Sequence, residues 1–105
     1  MSDEITLIVR FKLEESAKAV FVSQLKEVFA HIEREETFIE ASLLQDRENP
    51  ASLLVYEVWR ETPESFMKNQ MTKEYRKAFE QAIVDLKAER TPSWYTSLAE
   101  WKNGR

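Results

Sequence analysis

Residues 4–13, EITLIVRFKL, alternate in a way that only an extended strand satisfies. Ile5, Leu7, Val9, Phe11 and Leu13 fall on one face, and Thr6, Ile8, Arg10 and Lys12 on the other, a period of two. The period then changes. Ala17, Val20, Phe21, Leu25, Val28 and Ile32 recur at spacings of three and four. This predicts an amphipathic helix of about five turns, capped by Ser16 and ending near Glu35 or Glu36. A chain that switches period in this way must lay a helix across a sheet, which restricts it to α+β or α/β folds.

The remaining elements decide between the two. Residues 38–46, FIEASLLQD, and 52–60, SLLVYEVWR, read as strands joined by a short turn that contains Asn49-Pro50. Thr62 and Pro63 fit the N-cap and first position of a short helix that carries Phe66 and Met67. Thr72 reads as a second cap. The helix after it places Tyr75, Phe79, Ala82, Ile83 and Leu86 on one face. SWYTSLAEW, residues 93–101, is aromatic and partly alternating, and predicts a final strand. The order β-α-β-β-α-β, with its second helix broken in two, is the split βαβ pattern of a ferredoxin-like fold with a four-stranded antiparallel sheet. Residues 1–105 form one domain on this reading.

The third strand is apolar on both faces. Leu53, Val55 and Trp59 alternate with Leu54, Tyr56 and Val58, whereas a half-exposed strand alternates apolar with polar. Something must cover the second face, and a second copy, sheet against sheet, does so most simply. The expected assembly is therefore a homodimer.

Composition removes several function classes. The chain has no cysteine, which excludes disulfides, thiolate catalysis and cysteine-held clusters or zinc. His31 is its sole histidine, so a multi-histidine metal centre cannot be built within one chain. Its sole glycine, Gly104, leaves no phosphate-cradling loop. A net charge of −4, with both signs interspersed, offers no basic stripe for nucleic acid. No apolar run approaches the ~20 residues of a membrane span. The N-terminus, MSDEITLIVRF, starts acidic without a basic n-region, so the expected location is cytoplasmic.

The segment YEVWRETPESFMKNQMTKEYRKAF, from Tyr56 to Phe79, resembles the third strand and second helix of the antibiotic biosynthesis monooxygenase family. The family pattern is an aromatic strand ending in Trp, a short helix with a His, then Thr-Pro-His-Phe and a longer helix. EREETF, residues 33–38, is similar to the turn before that family's second strand. The resemblance implies a dimeric α+β barrel with one pocket per subunit between helices and sheet. It also implies oxygenation of quinols or polycyclic phenols by dioxygen, without metal, flavin or other cofactor. Carried over, Trp59 matches the strand-end Trp, and Asn69 stands where many members have His; these are the candidate catalytic residues. Asn69 can hydrogen-bond a phenolate, but it cannot act as a base near neutral pH. Lys73, Glu74 and Tyr75 replace the Pro-His-Phe of the pattern.

Tyr56, Phe66, Tyr75 and Phe79 are candidate substrate-binding residues, and each also reads as ordinary core. Two alternatives stand beside the monooxygenase: a small-molecule binding dimer without turnover, and an isomerase of a phosphorylated signalling sugar, which relatives in the same superfamily resemble.

Overall fold

The computed structural model describes residues 4–104. Strand β1 (Ile5–Lys12) leads through a 3-10 turn (Glu15–Ala17) into α1 (Lys18–Ile32). A hairpin follows, β2 (Phe38–Gln45) and β3 (Ser52–Trp59). Then come α2 (Pro63–Asn69), a second 3-10 turn (Glu74–Arg76), α3 (Lys77–Asp85) and β4 (Glu89–Tyr95). The strand order is β2-β3-β1-β4, and every pairing is antiparallel. This is the ferredoxin-like α+β arrangement.

The register decides which residues meet the helices. Leu7 pairs with Glu57, Val9 with Val55 and Phe11 with Leu53. Leu7, Val9, Phe11, Leu53, Val55 and Trp59 are buried beneath Phe21, Leu25, Val28 and Ile32 of α1 and Phe79 and Ile83 of α3. Edge-on aromatic contacts organise this layer. Phe11, Phe21 and Phe79 form one cluster, with ring centroids 4.9–6.1 Å apart. Phe38, Trp59, Phe66 and Trp94 form a chain of contacts at 5.2–5.3 Å. Such pairs add to simple area burial because the positive ring edge meets the negative ring face.

Four local expectations differ from the structure. Helix α1 ends at Ile32 rather than near Glu35 or Glu36. Ser16 does not cap α1; it lies inside the 3-10 turn, and the helix N-cap is Ala17 with no side-chain bond. Thr72 is not a cap either, because its hydroxyl donates back to the Lys68 carbonyl at 2.8 Å. The last strand begins before Pro92 rather than after it, because pairing with β1 runs from Tyr95 opposite Thr6 to Glu89 opposite Lys12. A proline fits there because β4 is an edge strand, where a missing N–H can face solvent.

The cap at Thr62 is as expected. Its hydroxyl accepts from the Ser65 amide at 3.0 Å, and Ser65 Oγ accepts from the Thr62 amide at 2.9 Å, a reciprocal capping box with Pro63 at N1. Among the described residues no helix is long and apolar enough to cross a membrane.

Candidate functional site

Alternation along β3 sends Glu57 to the helix side, between Val55 and Trp59. A carboxylate on that apolar face is only 6% exposed. The Trp59 indole donates from Nε1 to Glu57 Oε1 at 2.8 Å. Burial pushes the Glu57 carboxyl above its ordinary range, and the Trp59 hydrogen bond and the Arg76 charge only partly oppose that rise.

Arg76 ends the second 3-10 turn, three residues before Phe79, and is 9% exposed. Its guanidinium lies over the Phe66 ring, 5.3 Å from the centroid. Nη1 donates to the Met71 sulfur at 3.6 Å, a weak bond, while Nε and Nη2 have no partner among the described residues. Buried donors left unpaired each cost about 1–3 kcal/mol, more when the group is charged.

Glu57 and Arg76 line the same cavity, of about 370 Å³, between the sheet and the helices. This volume lies within the ~300–1,000 Å³ of small-molecule sites. Leu7, Val9 and Val55 form its sheet-side wall, and Phe66, Phe79 and Trp94 contribute flat aromatic surface. At its more exposed rim Arg90 of β4 makes a bidentate ion pair with Glu80 of α3, at 2.7 and 2.8 Å. An apolar cavity with one carboxylate outside any ion pair, Glu57, and one half-satisfied guanidinium, Arg76, suits a flat ring that carries an acidic oxygen.

The residues singled out from the sequence divide. Phe66 and Phe79 line the cavity. Trp59 is fully buried and does not line the cavity; it reaches the lining residues Glu57, through its indole hydrogen bond, and Phe66, through an edge-on ring contact. Tyr56 lies on the opposite face of the sheet, since it alternates with Glu57, and borders a separate hollow of about 590 Å³ with Val58 and Trp101. Asn69 is exposed at the end of α2, and the residue that turns inward there is Gln70. Tyr75 borders a small surface hollow of about 100 Å³ with His31, whose ring stacks on it at 5.0 Å. The Tyr75 hydroxyl donates to Glu35 at 2.9 Å. Burial and that acceptor push its pKa up to about 12, so it stays protonated at neutral pH.

Glu57 and Arg76 are the polar cavity residues that sequence reasoning missed. The available signals were a carboxylate two residues from Trp59 on an inward face, and an arginine one helical turn before Phe79. A second buried carboxylate, Glu61, is structural. Its oxygens accept from Thr37 Oγ1 (2.5 Å), Ser65 Oγ (2.5 Å) and Gln70 Nε2 (3.2 Å), which ties the turn before β2 to α2. Burial alone would raise the Glu61 carboxyl, but the bonds from Ser65, Thr37 and Gln70 together hold it below the usual range. Among the described residues no three side chains of His, Cys, Asp or Glu converge as metal ligands.

A four-stranded antiparallel sheet under split helices, with an apolar cavity between the layers, defines an α+β domain of the ferredoxin-like class. The sequence profile of the family described as antibiotic biosynthesis monooxygenase matches residues 4–81, and the chain belongs to that family. Among solved structures it is similar to SnoaB, a cofactor-independent oxygenase from Streptomyces nogalater. The identity is 21%, the match covers 99% of this chain and 100% of that one, and the TM-score is 0.79. It is also similar to a protein from Pseudomonas aeruginosa (20% identity, 94% and 98% coverage, TM-score 0.81) and to one from Mycobacterium tuberculosis (13% identity, 94% and 99% coverage, TM-score 0.80). At these identities the likeness shows the fold. No curated protein matches the chain at a significant level.

Proposed function

We propose that the protein is a cofactor-independent monooxygenase of quinols or polycyclic phenols. The observation that carries this reading is the apolar cavity lined by both Glu57 and Arg76. Phe66, Phe79 and Trp94 receive the flat ring system, and Arg76 holds its acidic oxygen as the anion. An electron-rich aryloxide can reduce dioxygen directly. One oxygen atom then enters the substrate and the other leaves as water, so that, counted from the keto tautomer of a polycyclic phenol, a ring CH₂ becomes a C=O with no external reductant. Exclusion of bulk water strengthens the Arg76–aryloxide interaction through the low local dielectric. Membership of the family and the similarity to an oxygenase support the reading.

The working unit in this proposal is a cytoplasmic homodimer. Leu54 and Tyr56, both half-buried, present apolar surface on the face away from the helices. Leu98 and Trp101 are 96% and 89% exposed in the single chain, and apolar exposure on this scale favours coverage by a second copy. A monomeric mass across the micromolar range would sink the dimer.

A second reading, a binding protein without turnover, is favoured by one observation: Asn69 and Glu74, at the family's two histidine positions, are both exposed. The isomerase has less support, because Lys68 is exposed and Lys73 pairs with Glu35 at 3.4 Å, neither lining the cavity. Oxygen uptake over a panel of quinols separates the readings. Uptake above buffer autoxidation that falls about 100-fold in Arg76→Met supports the oxygenase. Uptake that survives Arg76→Met but fails in Asn69→Ala returns catalysis to Asn69. No uptake with any quinol, alongside tight binding, favours the binding protein.

A further inference from the structure

Oxygenation of a phenol begins with loss of a proton, and the residues at the family's histidine positions, Asn69 and Glu74, are exposed and do not line the cavity. The cavity holds one carboxylate oxygen that is not already committed. Glu57 Oε1 accepts from the Trp59 indole, and among the described residues no other group hydrogen-bonds to this carboxyl. A carboxylate can accept at both oxygens, so Oε2 is available to a ligand in the cavity that Glu57 lines. The Trp59 bond also fixes the plane of the carboxylate, and Trp59 is itself clamped edge-on by Phe38 and Phe66.

We infer that Glu57 is the general base of this site: its Oε2 takes the hydroxyl proton of a bound phenol or quinol, and Trp59 is the positioning residue that aims it. The inference rests on the oxygenase reading for its substrate class. In the step, the substrate O–H bond breaks and its electron pair stays on the substrate oxygen. A new O–H bond forms at Oε2, leaving a neutral carboxylic acid and an aryloxide. The charge of the cavity does not change; one negative charge moves from Glu57 to the ligand, where the positive charge of Arg76, which lines the same cavity, favours it. A carboxyl raised by burial is a stronger base than an ordinary one, which brings it closer to a phenol's own affinity for the proton. The charged groups that share the cavity with Glu57 are Arg76, Glu80 and Arg90. Glu80 and Arg90 neutralise one another at the rim, and the lining residues of β1, α1 and α2 carry no charge.

The test separates proton transfer from oxygen chemistry. Dithranol, an anthrone with two phenolic hydroxyls, has a coloured anion and is mixed with the full-length protein without oxygen. The wild type is expected to form the anion band with a pH midpoint above the ordinary carboxylate range. In Glu57→Gln, which keeps an acceptor for Trp59, the rate of band formation is expected to fall about 100-fold. Dithranol binding, read by quenching of tryptophan fluorescence, should stay within about threefold. Glu57→Asp should recover part of the rate, and Trp59→Phe should shift the midpoint. A band that forms in Glu57→Gln at the wild-type rate and midpoint overturns the inference, as does a wild type that forms no band at any pH. Oxygen uptake is then measured separately. An anion band without uptake removes the oxygenase reading and leaves Glu57 as the base. Uptake undiminished in Glu57→Gln does the reverse.

Discussion

Trp59 and Glu57, two residues apart on one face of β3, are joined by a 2.8 Å hydrogen bond from the indole Nε1 to the carboxyl Oε1. Each is buried, so each satisfies a polar atom that would otherwise be stranded in the core. The bond couples the largest core side chain to the polar group of the cavity. Trp59→Phe removes both the bond and ring volume. We expect a loss of about 2 kcal/mol, read as a lower urea midpoint at unchanged slope. The Glu57 carboxyl, without its donor, should titrate at still higher pH.

The two buried carboxyls should give stability opposite dependences on pH. Glu57 is raised in the folded state, so its contribution is full below the ordinary carboxylate range and is lost as pH rises through the raised value. Glu61 is lowered, so its contribution is present above the ordinary range and is lost as pH falls through the depressed value. Denaturant unfolding at a series of pH values checks both. Relative to wild type, Glu57→Gln should gain stability toward neutral pH, and Glu61→Gln should be least stable there and converge with wild type in acid.

Helix α3 ends on a strained residue. Lys87 has φ 55°, in the left-handed region, with its amide bonded to the Val84 carbonyl and the Ala88 amide to that of Ile83. This is a Schellman termination with a side chain where glycine has no penalty. Lys87→Gly is expected to raise stability by about 1 kcal/mol, measured by chemical denaturation.

Arg76 sets function against stability. Its buried Nε and Nη2 are unpaired, so replacing it with an apolar side chain of similar length removes a desolvation penalty. Arg76→Met should be as stable as wild type, or more stable by about 1–3 kcal/mol, in thermal unfolding. The same variant should lose affinity for phenolic ligands at a pH where they bind as anions.

The fold was legible because its signals are repeated along the chain. Four alternating apolar residues in β1 (Ile5, Leu7, Val9 and Phe11) and a capped helix start at Thr62 each leave little choice. The start of the last strand is illegible in the sequence because Pro92 reads as a break, whereas an edge strand accommodates it. The site was harder to read. Asn69 stood out by position in a family pattern, but seven residues of α2 turn it to solvent and Gln70 inward. Glu57 and Arg76 lie among ordinary charged residues in the sequence, and only register and helix phase bring both to one cavity. Tyr56 looked equivalent to its aromatic neighbours, yet a period of two sends it to the other face.

The central claim is oxygen insertion by the protein alone. The direct measurement is mass analysis of product formed from a quinol under ¹⁸O₂ with metal- and flavin-free protein. The account predicts that each product molecule gains one labelled oxygen per dioxygen consumed, at a rate that depends on Arg76. Product without label, or formation no faster than in buffer, would contradict it.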